Sequence, residues 1–176
     1  MDVSASRVAT LVHVGVISTP PELPLEQRLL AIAQGIAHAL DEYAPDSVAI
    51  ERVFAQHNLR TVMGTAQASG VALHLAAERG LTVGLHTPSE VKAAITGYGA
   101  ADKRQVGVMV ARVLRLTEIP KPADAADALA LAICHAWRTP ETGRHAVGSA
   151  TGTSGLTPAQ QLWRDAESRA VRGGAR

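Results

Sequence analysis

The amino-acid sequence predicts an α/β domain in which short strands alternate with helices. Runs of β-branched and alternating apolar residues indicate strands at 8–17, 47–53 and 81–85. Apolar residues at helical spacing indicate helices over about 25–43, 60–79, 88–97, 101–116 and 122–135. A chain that alternates in this way is expected to cover a sheet with helices.

The first strand and the first helix are separated by a proline-rich connector. Residues 8–17 are β-branched and roughly alternating, which favours a strand, and prolines mark the connector at 20–24. The helix that follows should pack on the sheet through an apolar stripe of Leu25, Leu29, Ile32, Ile36 and Leu40.

The second strand carries the first candidate functional residue. Glu51 ends a short run that reads as a buried strand, where a carboxylate is costly unless something pairs with it. Phe54, the single phenylalanine, either anchors the following loop or offers a ring for stacking on a base. In the helix over 60–79, small residues would let another helix approach closely, inside the domain or in a second copy of the chain. They recur every four positions, at Gly64, Ala68, Ala72 and Ala76.

The third strand leads into two helices with a basic character. Thr87-Pro-Ser-Glu90 matches a capping box with proline at the first helical position. Residues 91–121 carry six basic and two acidic side chains, a local net charge of +4. Such a segment suits DNA phosphates, although a solvated helix face is the simpler alternative.

The last helix carries two more candidate residues. Asp124 and Asp127 are three positions apart, so they share one helix face about 5–6 Å apart at Cβ. They either complement the helix dipole or join Glu51. Three converging carboxylates about 5 Å apart would repel by roughly 3 kcal/mol per pair at an effective dielectric near 20. Mg²⁺ or Mn²⁺ would relieve that repulsion and serve phosphodiester hydrolysis.

Composition limits the remaining possibilities. The chain has 176 residues, which fits one globular domain over 1–138 followed by a flexible basic tail over 139–176. The sequence shows neither an apolar run of membrane-spanning length nor a signal peptide, so we expect a cytoplasmic protein with no membrane association. The single cysteine, Cys134, excludes an intrachain disulfide and a multi-cysteine zinc site.

Several motifs, in this order, closely resemble one protein family over about residues 8–138. They are Glu51-Arg-Val-Phe54, Thr61-Val-Met-Gly-Thr-Ala-Gln-Ala68, His86-Thr-Pro-Ser-Glu-Val-Lys-Ala-Ala94, Ala101-Asp-Lys-x-Gln-Val106 and Ala123-Asp-Ala-Ala-Asp-Ala-Leu-Ala130. Together they resemble the RuvC family of Holliday junction resolvases. The resemblance implies an RNase H-like fold, a mixed sheet flanked by helices, and symmetrical Mg²⁺-dependent nicking of four-way DNA junctions in recombination and repair.

The resemblance also implies roles for individual residues. Glu51, Asp124 and Asp127 resemble catalytic carboxylates of a site that holds two metal ions. The ring of Phe54 resembles the aromatic that wedges into the junction centre.

Further implied roles concern DNA contacts and protein partners. Lys92 and Lys103 resemble lysines that hold phosphates. The helix over 61–79 resembles the one that forms a homodimer, and the family works beside a branch-migration motor of the RuvA and RuvB type.

The chain departs from the family pattern at its start. Members begin with a strand ending in Asp-Pro-Gly, whose Asp bridges both metals, and a second strand follows it. Neither precedes residues 8–17 here, and Asp2 has no apolar strand before it and no Pro-Gly after it. We therefore expect about twenty further residues upstream in the natural protein. We also expect that the 176-residue chain fails to cut a junction that an upstream-extended version cuts.

Two other functions stay open on the sequence. A non-catalytic junction-binding or dimerisation module that has lost the first catalytic Asp would bind junctions in a salt-dependent way without nicking them. A nuclease of the same fold acting on RNA or on other branched DNA would prefer those substrates in a competition assay.

Overall fold

The computed structural model describes residues 1–52 and 59–138. Phe54 and the predicted tail over 139–176 lie outside the described residues. All five predicted helices are present, with ends that shift by up to a few residues. The elements are β1 (Asp2–Val3), β2 (Ala9–Thr10), α1 (Leu25–Tyr43), β3 (Ser47–Glu51), α2 (Leu59–Glu78), β4 (Thr82–His86), α3 (Pro88–Thr96), α4 (Lys103–Val113) and α5 (Ala123–Arg138).

The described strands form two separate pairs. β1 and β2 are antiparallel, with Asp2 opposite Thr10. β3 and β4 are parallel, and their register runs from Ser47 beside Thr82 to Glu51 beside His86. α2 connects β3 to β4, because parallel neighbours need a long crossover between them.

The predicted strand over 8–17 is mostly wrong, because only Ala9–Thr10 is paired. Its antiparallel partner β1 has two residues, with Val3 opposite Ala9 and Asp2 opposite Thr10. Residues 11–17 have no ladder in the described structure, and several of their apolar side chains stay exposed. Val12 is 47% exposed and Val16 is 56% exposed.

The hydrophobic core lies among α3, α4 and α5. Its fully buried members include Val110, Ile133 and Cys134, and Ala9 of β2 joins the same cluster. α5 contributes small side chains at its buried face, which lets α4 and the β3–β4 pair approach it closely. The start of α5, where Asp124 and Asp127 lie, is thereby fixed against the rest of the core.

α1 and α2 pack against each other at the edge of this core. An ion pair between Arg79 Nε and Asp41 Oδ1, 2.8 Å long, links the end of α2 to α1. We expected the apolar stripe of α1 to pack on a sheet, but no residue of α1 is fully buried. α1 instead contacts α2 and, at Gly35, the unpaired segment that ends in Ile17.

Two capping boxes fix the starts of α3 and α4. The predicted box at Thr87 and Glu90 is confirmed, and a second one joins Asp102 to Gln105. Glu90 also accepts a hydrogen bond from Arg138 at the end of α5, 3.2 Å long. The Thr87 backbone and side chain, and then Arg138, lower the pKa of Glu90 to about 2.

Candidate active site

Glu51 stands at the carboxyl end of β3. Parallel pairing places it beside His86, and the backbone N–H of Arg52 donates to the carbonyl of His86 across 2.8 Å. The strand pairing therefore fixes the position of the Glu51 backbone, while the residue itself keeps contact with solvent. The predicted placement of Glu51 at the end of a short strand is correct, but the predicted burial of that strand is wrong, because the β3 side chains are only partly buried and Glu51 is exposed.

Asp124 and Asp127 lie in the first two turns of α5, as the sequence predicted. Asp127 is half-buried and forms an ion pair with Lys103, from Nζ to Oδ2 across 3.2 Å. Asp124 is exposed, and no hydrogen bond or ion pair joins it to another residue in the described ranges. Only one of the two aspartates therefore has a defined partner.

Electrostatics link the strand carboxylate to the helix carboxylate. Burial raises the pKa of Glu51, and the negative charge of Asp127 raises it further, while Lys103 acts in the opposite direction. Charges influence each other in this way only when they are close. β3, α5 and α4 thus bring Glu51, Asp127 and Lys103, respectively, to one edge of the domain, called here the acidic edge.

The described residues test the predicted metal site in part. Carboxylate oxygens are the hard ligands that Mg²⁺ prefers, and the acidic edge supplies two such groups. However, residues 1–52 and 59–138 contain no cluster of three His, Cys, Asp or Glu side chains with metal-binding geometry. Asp127 is turned toward Lys103. The ligand set Glu51, Asp124 and Asp127 therefore stays a prediction.

A histidine pair beside the acidic edge was missed by the sequence reasoning. His135 Nδ1 lies 3.0 Å from His86 Nε2, and its Nε2 lies 3.1 Å from Ser47 Oγ. Burial, and then the charge of His86, lowers the pKa of His135, so the ring is held neutral. This chain of hydrogen bonds ties α5 to both ends of the β3–β4 pair.

Gly84 makes room for the histidine pair. A Cβ at Gly84 would overlap Nδ1 of His135 and would lie 3.0 Å from Nε2 of His86. His135 follows Asp127 by eight residues, which puts the two on neighbouring parts of one helix face. A glycine in the middle of a strand was the sequence signal available for this contact.

The other predicted DNA contacts are placed unevenly. Lys103 faces the acidic edge, whereas Lys92 lies half-exposed in the middle of α3 with no ion pair to a described residue. Phe54 falls between the two described ranges.

Comparison with known proteins identifies the family. The model of the family described as "Crossover junction endodeoxyribonuclease RuvC" matches residues 2–135. This chain belongs to the RuvC family. A RuvC from Leifsonia xyli subsp. xyli is 66% identical over 180 residues, covering 98% of this chain and 86% of the relative. A RuvC from Streptomyces avermitilis is 66% identical over 140 residues, covering 80% of each chain.

Solved structures agree with this assignment. The Thermus thermophilus RuvC structure has a TM-score of 0.70 and 34% sequence identity, covering 77% of this chain and 82% of that one. The same protein in complex with a Holliday junction substrate gives a TM-score of 0.72 at the same identity and coverage. The predicted family and the RNase H-like fold class are therefore confirmed.

Family membership places the protein among hydrolytic nucleases. RuvC proteins are crossover junction endodeoxyribonucleases of recombination and repair, and the family is metal-dependent. In the described parts of the chain, every helix is too short or too polar to cross a membrane.

Proposed function

We propose that this protein resolves Holliday junctions by symmetrical nicking with Mg²⁺, with Mn²⁺ as a possible substitute. The observation that supports this most directly is the acidic edge. Glu51 and Asp127 come from different elements, and the charge of Asp127 raises the pKa of Glu51. Two carboxylates held together beside a lysine suit a site for a cation and a phosphodiester.

Each residue has a proposed role at this edge. Glu51, Asp124 and Asp127, together with the Asp that the family pattern has upstream, would hold two divalent ions. When bound, these ions would supply Lewis-acid catalysis for phosphodiester hydrolysis. The ammonium of Lys103 lies 3.2 Å from Asp127, and it would exchange this partner for a phosphate of the bound strand. Lys92 would hold a second phosphate, and Phe54 would wedge into the junction centre.

We further propose that the protein acts as a homodimer through α2. The predicted seam of Gly64, Ala68, Ala72 and Ala76 does not supply that surface on its own, because Ala76 is fully buried inside the domain. The exposed face of α2 instead carries apolar or small residues at spacings of three and four, which are typical of a helix pairing seam. These residues are Met63, Ala66, Gly70, Leu73 and Ala77.

We propose that the dimer works in the cytoplasm on four-way junction DNA, beside a branch-migration motor of the RuvA and RuvB type.

The dimer interface can be tested at Leu73, which lies in the exposed seam of α2. Replacing Leu73 by Arg should prevent dimerisation, because a buried unpaired charge at the interface is strongly unfavourable. Sedimentation should then show a monomer, whereas an unchanged dimer would remove α2 as the interface.

A nicking assay on a synthetic four-way junction tests the function. In the upstream-extended version, Glu51→Gln and Asp127→Asn should each reduce nicking by at least about 100-fold, because loss of a ligand exceeds the 10–100-fold effect of outer-shell partners. Junction affinity should change little. Glu118→Gln, which removes an exposed carboxylate outside the acidic edge, should leave nicking unchanged.

The absence of a three-carboxylate cluster from the described residues favours one alternative, a junction-binding or dimerisation module without catalysis. The nicking assay should therefore use the 176-residue chain and a version extended by the in-frame upstream sequence. Salt-sensitive binding without nicking by either version would support the alternative. Mg²⁺-dependent nicking that is lost in Glu51→Gln would support the resolvase.

A further inference from the structure

An open groove lies on the opposite side of the α4 start from the acidic edge. Its volume is about 540 Å³, and it runs between the end of α3 and the first turns of α4. Its lining residues are Thr96, Tyr98, Ala101, Asp102, Arg104, Gln105, Val108 and Met109. We call it the Tyr98 groove, because the Tyr98 side chain is 65% exposed at its rim.

Lys103 and Arg104 are adjacent in the first turn of α4, and their side chains lie at two different sites. Lys103 reaches Asp127 at the acidic edge across 3.2 Å, whereas Arg104 lines the Tyr98 groove. Among the described residues, Arg104 has no ion-pair partner. A single helix turn therefore joins the groove to the proposed catalytic site.

Most other polar groups of the groove are already engaged within the chain. The Asp102 carboxylate accepts the Gln105 backbone N–H across 2.8 Å, and the Gln105 side chain accepts the Asp102 N–H across 2.9 Å. Thr96 Oγ contacts the Tyr98 carbonyl at 3.0 Å and accepts its N–H at 3.1 Å, which fixes the loop that carries the ring. The groove consequently offers a ligand one guanidinium and one phenol ring, beside an apolar wall of Val108 and Met109, and the capping carboxylate of Asp102 keeps its negative charge at the same turn.

A guanidinium beside an exposed aromatic ring matches the chemistry of a nucleotide. Arg recognises phosphate oxygens with paired N–H groups, and an aromatic face covers the less polar sugar or base. The groove volume lies within the range of pockets that hold ligands of this size. The net charge of +4 over residues 91–121 adds attraction for a polyanion.

We propose that the Tyr98 groove binds one nucleotide of a junction arm, with a phosphate at Arg104 and the adjoining deoxyribose against Tyr98. The site extends the path of the DNA strand from the acidic edge, past Lys103, to the far side of α4. This inference rests on the proposed function, because it requires junction DNA as the substrate.

Junction affinity as a function of salt tests the phosphate contact. Arg104→Ala should lower the slope of log K against log salt by about one unit, since each phosphate contact contributes about 0.9. The same relation gives a loss of about eightfold in affinity at 0.1 M salt. Arg112→Ala is the matched control, because it removes an equally exposed arginine about 12 Å further along α4.

The ring is tested by paired substitutions at Tyr98. Tyr98→Ala should weaken junction binding by about fivefold, the value expected if some 40 Å² of ring is covered. Tyr98→Phe keeps the covered surface and should stay within about twofold of the wild type. Equal losses in the two variants would assign the contact to the hydroxyl and overturn the proposed sugar contact.

Uncharged replacements of single DNA phosphates identify the phosphate that contacts Arg104. Replacing single phosphates of the junction by methylphosphonates should reveal one position where the wild type loses affinity and Arg104→Ala does not. If no such position exists, or if Arg112→Ala matches Arg104→Ala, the groove is not a DNA site. A wild-type chain that fails to bind any junction would instead overturn the proposed function, and this inference with it.

Discussion

Substitution of Gly84 by Ala probes how closely α5 approaches the β3–β4 pair. The added methyl would overlap the His135 ring, so either the ring or α5 must move. Overpacking of this kind costs about 1–3 kcal/mol, and loss of the bond between His86 and His135 costs about 0.5–1.5 kcal/mol. Alanine also loses less conformational entropy than glycine on folding, which stabilises the variant by about 0.5–1 kcal/mol. The net expectation is a destabilisation of about 2 kcal/mol.

Thermal and urea unfolding measure this effect. For a chain of this length, about 2 kcal/mol corresponds to a decrease in Tm of roughly 4–8 °C. Gly64→Ala is the matched control, because Gly64 lies outside the exposed seam proposed for the dimer and nothing lies within 4 Å of a Cβ built at this position in α2. The same substitution at Gly64 should stabilise the protein by about 0.5–1 kcal/mol.

A double-mutant cycle identifies the cause. In a His135→Ala background the added methyl at Gly84 has no ring to displace, so most of its cost should disappear. The coupling free energy between the two positions should be about 2 kcal/mol, within the range observed for residues in contact. If Gly84→Ala behaves like Gly64→Ala, or if the two substitutions at 84 and 135 are additive, the proposed close approach is refuted.

Three further predictions follow from the charges and from the unpaired segment. Because burial raises the pKa of Glu51, protonation is favoured in the folded state, so Glu51→Gln should stabilise the protein at pH 7 by up to about 1 kcal/mol. In urea titrations this gain should vanish below pH 4.5, the ordinary pKa of the carboxyl. The pKa of His135 is lowered from 6.5, so the stability it contributes is present above pH 6.5 and lost as the pH falls below that value. Unfolding curves from pH 8 to 5 should show a smaller loss for His135→Gln. Hydrogen exchange should be fast for the amides of residues 11–17 and slow in β4, because only the latter are paired in a sheet. Slow exchange over 11–17 would show that the segment has a partner.

Local patterns in the sequence predict most of the helical framework. The apolar stripe of α1 gives its bounds of Leu25–Tyr43, and Thr87 with Glu90 predicts the start of α3. Glu51 at a strand end and Asp127 at a helix start were both placed correctly, because each depends on spacing within one element.

Contacts between distant parts of the chain were harder to predict. The ion pair of Lys103 with Asp127 and the bond of His86 with His135 join residues 24 and 49 positions apart. Spacing within one element carries no information about such pairs. The same limit applies to α2, where the predicted seam of small residues and the exposed seam of apolar or small residues are both regular patterns. Packing against α1 and the strands decides how deeply each residue is buried.

The strand predicted over 8–17 illustrates a different limit. Its residues alternate as a strand requires, and yet only two of them pair. A strand needs a neighbour as well as a suitable sequence, because its backbone N–H and C=O groups must find partners. β1 supplies two residues of such a neighbour. The alternation of residues 8–17 cannot predict how many residues a neighbouring strand provides.

α5 is attached to the rest of the domain at both of its ends. At its far end Trp137 Nε1 donates to the carbonyl of Arg7 across 3.2 Å, and Arg138 binds Glu90 across 3.2 Å. These residues follow Asp127 by 10 and 11 positions, or about 15–17 Å along the helix. Near its start Asp127 is joined to Lys103, and the neighbouring Ala126 is buried. Because each end has its own attachment, substitutions at Trp137 or Arg138 should change the stability of α5 without displacing its carboxylates, which makes the remote end a place where stability can be engineered separately from the reaction.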